Sequence, residues 1–447
     1  MVRRMSARRP VAWTAALAIA VAGAGLVWHL LACVESPMAY SPSGDSLAFV
    51  TVEPWDPEKL PLAGECAYRL MVLKGEAIRV VEQTTEYVLS GPAYSPDGRR
   101  LCYLRIPMFT REAAARAEEA RAATSRPHGE NTFIWPGPAG EGSLVPPNLE
   151  IKDETLPRWR AYEEALDHQR AAPRVRAALV VRDVESGQIV SSTAVDLPLP
   201  AEDQHWALAY AILRPQYSPD GRWVYLCDGH TVLAVDPTNG AIRLVVAATL
   251  DAALSPDGTM LATLSEHSLA LTSTDGQRAT YLRWDRSGSY LGLVWRDKNT
   301  LAVLEPKGEG ESAWLHLVKR DGTLHRSCKL AGPTGGAHDL DCVAQLAVAP
   351  NGSRVVVAFE REVLFLSNKG RVLRQVPSDK YRLAQPTFSP DSKRVAFKRL
   401  EGESDAAPGY PRAAAIAFFT PDGRELAEVP IPSVPVGTTR PAAEEDE

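Results

Sequence analysis

His338, Asp339, Asp341 and Cys342 fall within five residues of one another, and each carries an atom able to ligate a metal ion. In an extended loop, alternate residues could face one ion. No second clear ligand set occurs, the nearest being Cys227-Asp228-Gly229-His230, whose polar residues suit a tight turn. Loop polarity is the plainer reading of both, and no metal or other cofactor is expected. Hydrolytic motifs are missing as well. The chain has no G-x-S-x-G nucleophile elbow, no H-E-x-x-H, no phosphate-cradling G-x-x-x-x-G-K-[ST] and no acidic calcium loop. Its scattered carboxylates could still meet as a glycosidase-like pair in a central channel, where their separation would set the mechanism.

One further cysteine invites chemistry of a different kind. Arg3, Arg4, Arg8 and Arg9 precede an apolar run from Val11 to Val34 that is broken only by Thr14 and His29, and the run contains Leu30-Leu31-Ala32-Cys33. Basic residues followed by an apolar stretch make a signal or anchor segment over residues 1–33. Two forms are open. Leu-Leu-Ala-Cys resembles the bacterial lipobox, in which the cysteine thiol is lipidated and the chain is cleaved before it. The run is also about long enough to span a bilayer as an uncleaved helix. In either form the arginines stay inside, and everything after Cys33 is extracytoplasmic and tethered to the membrane.

The chain has 49 Lys+Arg against 55 Asp+Glu, and all four arginines of the leader precede the first acidic residue. The body after the leader thus carries 45 basic against 55 acidic residues, a net charge of −10. Such a body repels phosphate backbones, so nucleic acid is not an expected partner. Five cysteines remain after Cys33, an odd number that cannot pair completely within one chain. Cys328 and Cys342 flank a Gly-rich loop and form the disulfide candidate, whereas Cys102 and Cys227 sit in apolar strands and read as small buried residues.

The elements that must position these groups come from a repeat. Apolar residues, then Ser-Pro-Asp-Gly or a relative, then a short strand recur at Tyr40-Ser-Pro-Ser-Gly44, Tyr94-Ser-Pro-Asp-Gly98, Tyr217-Ser-Pro-Asp-Gly221 and Leu254-Ser-Pro-Asp-Gly258. Further copies are Val348-Ala-Pro-Asn-Gly352 and Phe388-Ser-Pro-Asp-Ser392, and a degenerate one, Val294 to Asn299, fills the long gap. Pro presets φ, Asp accepts from the backbone and Gly takes the left-handed conformation, so each copy is a hairpin. A second hairpin follows each, turning at Lys74-Gly75, Ser186-Gly187, Asn239-Gly240, Asp275-Gly276, Asp321-Gly322, Lys369-Gly370 and Asp422-Gly423. Two hairpins make a four-stranded sheet, and seven such sheets cover their apolar faces by radial packing. The expectation is an all-β, seven-bladed β-propeller over residues 38–430, followed by a Pro-rich acidic tail, 431–447.

These Ser-Pro-Asp-Gly units resemble the TolB-type, WD-like propeller repeat of bacterial periplasmic proteins, and the resemblance runs from about Tyr40 to Val429. It implies the fold; propellers host binding, scaffolding and catalysis alike.

Between the hairpins of the second blade lies an insertion, residues 107–174, read as a small helical cap, with Phe133 and Trp135 in its apolar middle and Trp159 on a helical face. The other long connections hold His205 and Trp206, then His338, Asp339 and Asp341, then Tyr381 and Arg382, and they open on the same face as the insertion. Phe133, Trp135, Trp159, His205, Trp206, His338, Asp339 and Asp341 are therefore the partner-binding candidates. The insert's aromatics could equally serve to dock it on the propeller. The reading that results is a monomeric, membrane-tethered propeller that binds or scaffolds a protein partner of the cell envelope. The alternative is an extracytoplasmic hydrolase or lyase acting on a glycan or peptide at the channel.

Overall fold

The computed structural model describes residues 37–54, 66–107, 174–198, 213–227, 231–247, 251–264, 268–275, 279–283, 292–305, 313–330, 345–359, 362–377, 381–404 and 407–432. No helix occurs among these residues, which form strands and turns. The strands build seven antiparallel sheets from consecutive stretches of chain: 39–84, 87–198, 216–247, 251–283, 292–329, 345–377 and 382–430. We number these blades one to seven.

Six blades have four strands in sequence order, and the second has five. Its inner strand is split by Ser90-Gly91-Pro92 into Tyr87–Leu89 and Ala93–Tyr94, both paired with Arg100–Pro107. The Ser90 hydroxyl accepts the Leu104 N–H at 2.9 Å, which keeps the break attached to the sheet. The next strand of this blade, Arg174–Asp183, pairs with Arg100–Pro107, so the insertion leaves the blade between its second-to-third strand ends. The degenerate copy proves a true blade: Gly292–Asp297 pairs with Thr300–Glu305 around Lys298-Asn299.

A strand buried on both faces loses the apolar–polar alternation of a surface strand and reads as a continuous apolar run. Leu101 to Leu104 and Val355 to Ala358 are such runs, and each residue in them is buried. The apolar clusters fall between blades, not within them. Leu226 and Val224 join blade three to blade two, and Tyr225 joins Leu261 of blade four. Leu269 packs on Trp295, Leu315 on Val357, and Phe365 on Phe397 and Phe419, whose ring centroids lie 5.3–6.0 Å apart. Finally Phe49 and Met71 of blade one meet Ala396 and Ile416 of blade seven, which closes the ring. This is a seven-bladed β-propeller, as the repeat predicts.

The tight turns are shared between blades as well. A Cβ placed on Gly98 would lie 3.4 Å from Pro42 Cδ, one on Gly221 3.5 Å from Pro96 Cδ, and one on Gly258 2.5 Å from Pro219 Cδ. The same relation closes the circle, Gly44 lying against Pro390 at 3.3 Å. At these four junctions turn proline meets turn glycine of the following blade. In blade seven Ser392 holds the glycine's place at φ 61°, and its hydroxyl accepts the Asn351 N–H of blade six at 3.1 Å.

Gly258 has φ +70° and no room for a methyl group, whereas Gly75 has φ +62° in open space. Gly258→Ala should therefore cost about 2–4 kcal/mol, backbone strain plus overpacking, and Gly75→Ala only about 1 kcal/mol. Urea unfolding of the two variants measures the difference; equal losses would mean that the interblade contact is not under compression.

Candidate functional site

The two ends of the propeller differ in chemistry. At the tight-turn end, Ser95, Ser218, Ser255 and Ser389 donate to Asp97, Asp220, Asp257 and Asp391 at 2.5–2.6 Å. Each aspartate also accepts the N–H two residues on. Hydrogen bonds from Ser95, Ser218 and Ser389 hold the carboxyls of Asp97, Asp220 and Asp391 below the ordinary range. A shallow hollow at this end is lined by Asn299, Thr300, Lys319, Arg320 and Asp321. Arg320 is engaged there by Asp257 at 2.8 Å and by Thr259. These groups hold turns together and leave little for a ligand.

The opposite end is built by the inner strands. The residue four positions before each turn's first residue lies at or just before the far end of the inner strand, and in blade seven within it. In blades one to four these residues are Pro37, Gly91, Arg214 and Asp251, and in blades six and seven Gln345 and Gln385. Contacts show that they share one layer around the axis. Gly91 lies against Pro37, where a Cβ would be 2.6 Å from the proline Cδ. Arg214 donates through Nη2 to Gln385 Oε1 at 3.4 Å, which takes it from blade three to blade seven, across the ring. The Gln385 N–H in turn donates to Gln345 Oε1 of blade six. One step nearer the turns, the Gln216 side chain bridges blades three and four, donating to Ala252 O and accepting from Leu254 N, both at 3.0 Å.

The charges in this layer are Arg214 and Asp251. Burial pushes the Asp251 carboxyl up to about 6, opposed by Arg214 and by the N–H groups of Ala252 and Leu293. Burial lowers Arg214 in the same way, with Asp251 opposing. Among the described members of the layer Asp251 is the sole carboxylate, so a glycosidase-like pair does not form within it. Gln385 occupies φ 54° inside a bulge between Ala384 and Thr387. A non-glycine residue there costs about 1–3 kcal/mol, and such strain concentrates at functional positions. Gln345 is 4% exposed; its Oε1 is fixed on the Gln385 N–H, and its Nε2 has no partner among the described residues.

Two other polar clusters escaped the sequence reading. Glu82 in blade one receives Arg105 Nε at 2.6 Å, Arg182 Nη2 at 2.8 Å and the Tyr103 hydroxyl, all from blade two. Burial raises the Glu82 carboxyl, but these donors outweigh it and hold the group below its ordinary value. In blade five, His316 Nε2 pairs with Glu305 Oε2 at 2.7 Å and Nδ1 with Ser327 Oγ at 2.8 Å. Serine, histidine and glutamate in series suggest a nucleophile relay. The His316 side chain has no exposed surface, so no leaving group can reach it, and the series ties three adjacent strands of one blade together.

Among the residues singled out from sequence, Cys33, Phe133, Trp135, Trp159, His205, Trp206, His338, Asp339, Asp341 and Cys342 lie outside the described residues. Cys328 is described: its thiol donates to Lys369 O of the next blade at 3.2 Å, beneath Gly370. Tyr381 and Arg382 begin the last blade, and the Arg399 guanidinium stacks 3.5 Å from the Tyr381 ring centroid. The signal that finds the inner layer is positional. Counting four residues back from each turn yields it, although no residue type repeats there.

No family model and no curated protein matches the chain. Among solved structures it is similar to the β-propeller domain of Myceliophteria thermophila Cps50 (Swd1), with 12% identity and a TM-score of 0.41 over 58% of this chain and 84% of that one. It is also similar to a eukaryotic initiation factor, with 13% identity and a TM-score of 0.38 over 88% and 87%. The seven sheets and their closed ring of contacts define the fold independently of these likenesses.

The Asp251 shift has a sign. Its folded value, about 6, exceeds the ordinary 3.8, so the fold favours the protonated form and this contribution is lost as pH rises from about 4 through about 6. Asp251→Asn removes the dependence. The melting temperature of the variant relative to the parent should climb between about pH 4 and pH 7 and then level off; a constant difference would place the carboxyl in water.

Proposed function

We propose that this chain is a membrane-tethered, extracytoplasmic propeller that binds a protein partner of the bacterial cell envelope through the end opposite its tight turns. The observation that carries the reading is the asymmetry of the two ends. At one, four turns pack proline against the glycine of the next blade, and the turn serines bond the turn aspartates. The other holds the polar inner layer, and the chain's long connections issue from the strand ends on that side. A rigid scaffold with elaborated loops at one end is the common arrangement of a binding module. The basic and apolar leader with Cys33 supports the tether and the compartment, and the Ser-Pro-Asp-Gly repeat supports kinship with TolB-type propellers.

Deleting residues 110–172 should leave a folded propeller, because the flanking strands pair directly with each other. The same deletion should remove specific partners from a crosslinking pull-down of the full-length membrane protein. An unchanged partner set would refute the assignment of the binding end. For the tether, intact mass after membrane extraction separates the two forms: loss of residues 1–32 with added acyl mass means lipoprotein, full length means a helix, and a full-length chain released without detergent would refute the tether itself.

A further inference from the structure

We infer that the inner layer formed by Arg214, Gln345 and Gln385 is a binding site for a single carboxylate group entering along the propeller axis. It needs only the described inner strands, and it stands whether or not the loops of that end take a protein partner.

The donors are in place and have capacity to spare. Arg214 keeps solvent-exposed surface although the walls around it partly desolvate its guanidinium, and it spends one N–H, at 3.4 Å, on Gln385 Oε1. A guanidinium offers five donors in a planar fork, which matches the two oxygens of a carboxylate. Gln345 supplies the independent observation. Its amide is buried, the Gln385 N–H fixes which end is oxygen, and the Nε2 left over has no acceptor among the described residues. A buried donor without an acceptor is costly, and an oxygen of an incoming ligand relieves that cost. Gln385 connects the two, its backbone bound to Gln345 and its side chain to Arg214, and it does so in a strained conformation that the bulge imposes. Strain held between two donors is what a preorganised site requires.

Charge selects the ligand class. A phosphate brings nearly two negative charges and three acceptor oxygens and calls for several cations. Here one arginine stands among the described members of the layer, with Asp251 as its electrostatic neighbour. One charge and two oxygens, a carboxylate, is the better match. Its source could be a small organic acid or the C-terminus of a peptide chain.

The test uses full-length protein in detergent near pH 7 and isothermal titration with acetate, succinate, N-acetyl-trialanine as free acid and as C-terminal amide, and inorganic phosphate. Free acids should bind and the amide should not. Binding of acetate and succinate along with the peptide acid identifies a small-acid site, binding of the peptide acid alone identifies a chain terminus, and both uphold the inference. Arg214→Gln should weaken binding by about 10-fold or more, and Gln345→Glu, which keeps the acceptor for Gln385 but removes the free donor, should weaken it as well. Asp251→Asn should tighten it, because a competing carboxylate is gone. One substitution must weaken and another strengthen, so a misfolded variant cannot imitate the pattern. No acid binding up to about 10 mM, equal binding of amide and acid, phosphate binding tighter than every acid, or an Arg214→Gln protein that binds acids like the parent would each overturn it.

Discussion

Lys398 carries its ammonium group, with no exposed surface, into the seam between the last blade and the first and donates to the Val50 carbonyl at 2.7 Å. Around it the seam is apolar: Leu47, Phe49, Met71 and Leu73 from one side, Ala384, Ala396, Leu400 and Ile416 from the other. Among the described residues no strand is exchanged across this seam, since each of the seven sheets is made of consecutive chain. Closure therefore depends on side-chain packing, on the Gly44–Pro390 contact and on the few hydrogen bonds that cross, such as Thr387 Oγ1 to Met38 O at 3.4 Å. A buried ammonium is expensive unless its protons are taken up, so the bond to Val50 O favours the register in which the two sheets meet.

That register reaches the inner layer. Thr387 lies just past the bulge at Gln385, and Met38 follows Pro37, so the strands that close the ring are also the strands that carry two members of the layer. The tight turns act from the other end. Where a turn wedges proline against glycine, at four junctions, it fixes the height of one inner strand relative to its neighbour, and the residues four positions upstream in those blades are then held at a common level. Ala39, Ala93, Ala253 and Ala347, two positions upstream, are small, which suits strands converging on an axis. The repeated turn thus seals one end and aligns the other.

Much of this could be read from the chain because the turn chemistry is local. Pro, Asp and Gly within four residues specify a conformation without reference to anything distant, and the second hairpins announce themselves by a glycine at the turn. What escaped reading depends on pairing across strands or blades. Glu305, His316 and Ser327 are eleven residues apart in sequence, and only the register of blade five brings them into line. Glu82 finds its arginines in the next blade. The break at Ser90-Gly91-Pro92 and the bulge at Gln385 are irregularities of single strands, and no residue pattern shared with the other copies announces them. The layer itself has no sequence motif: Pro37, Gly91, Arg214, Asp251, Gln345 and Gln385 share a position and nothing else.

Such unlikeness is informative, since a layer serving only the fold would converge on small apolar residues, as the positions two nearer the turns largely do. Instead a cation, an anion and two amides face one axis, and their mutual arrangement leaves donors in excess. Asp251 partly offsets Arg214, but its burial resists ionisation and two backbone N–H groups already share its oxygens. It cannot at once satisfy them, the guanidinium on another blade and the amide of Gln345, which is placed by Gln385 in blade seven. The residual demand for acceptor oxygen is therefore a property of the ring's geometry. Adding acidic residues elsewhere on the surface, already negative overall, would not relieve it, because solvent screens charges separated by more than about 10 Å and a surface carboxylate has no route to a buried amide.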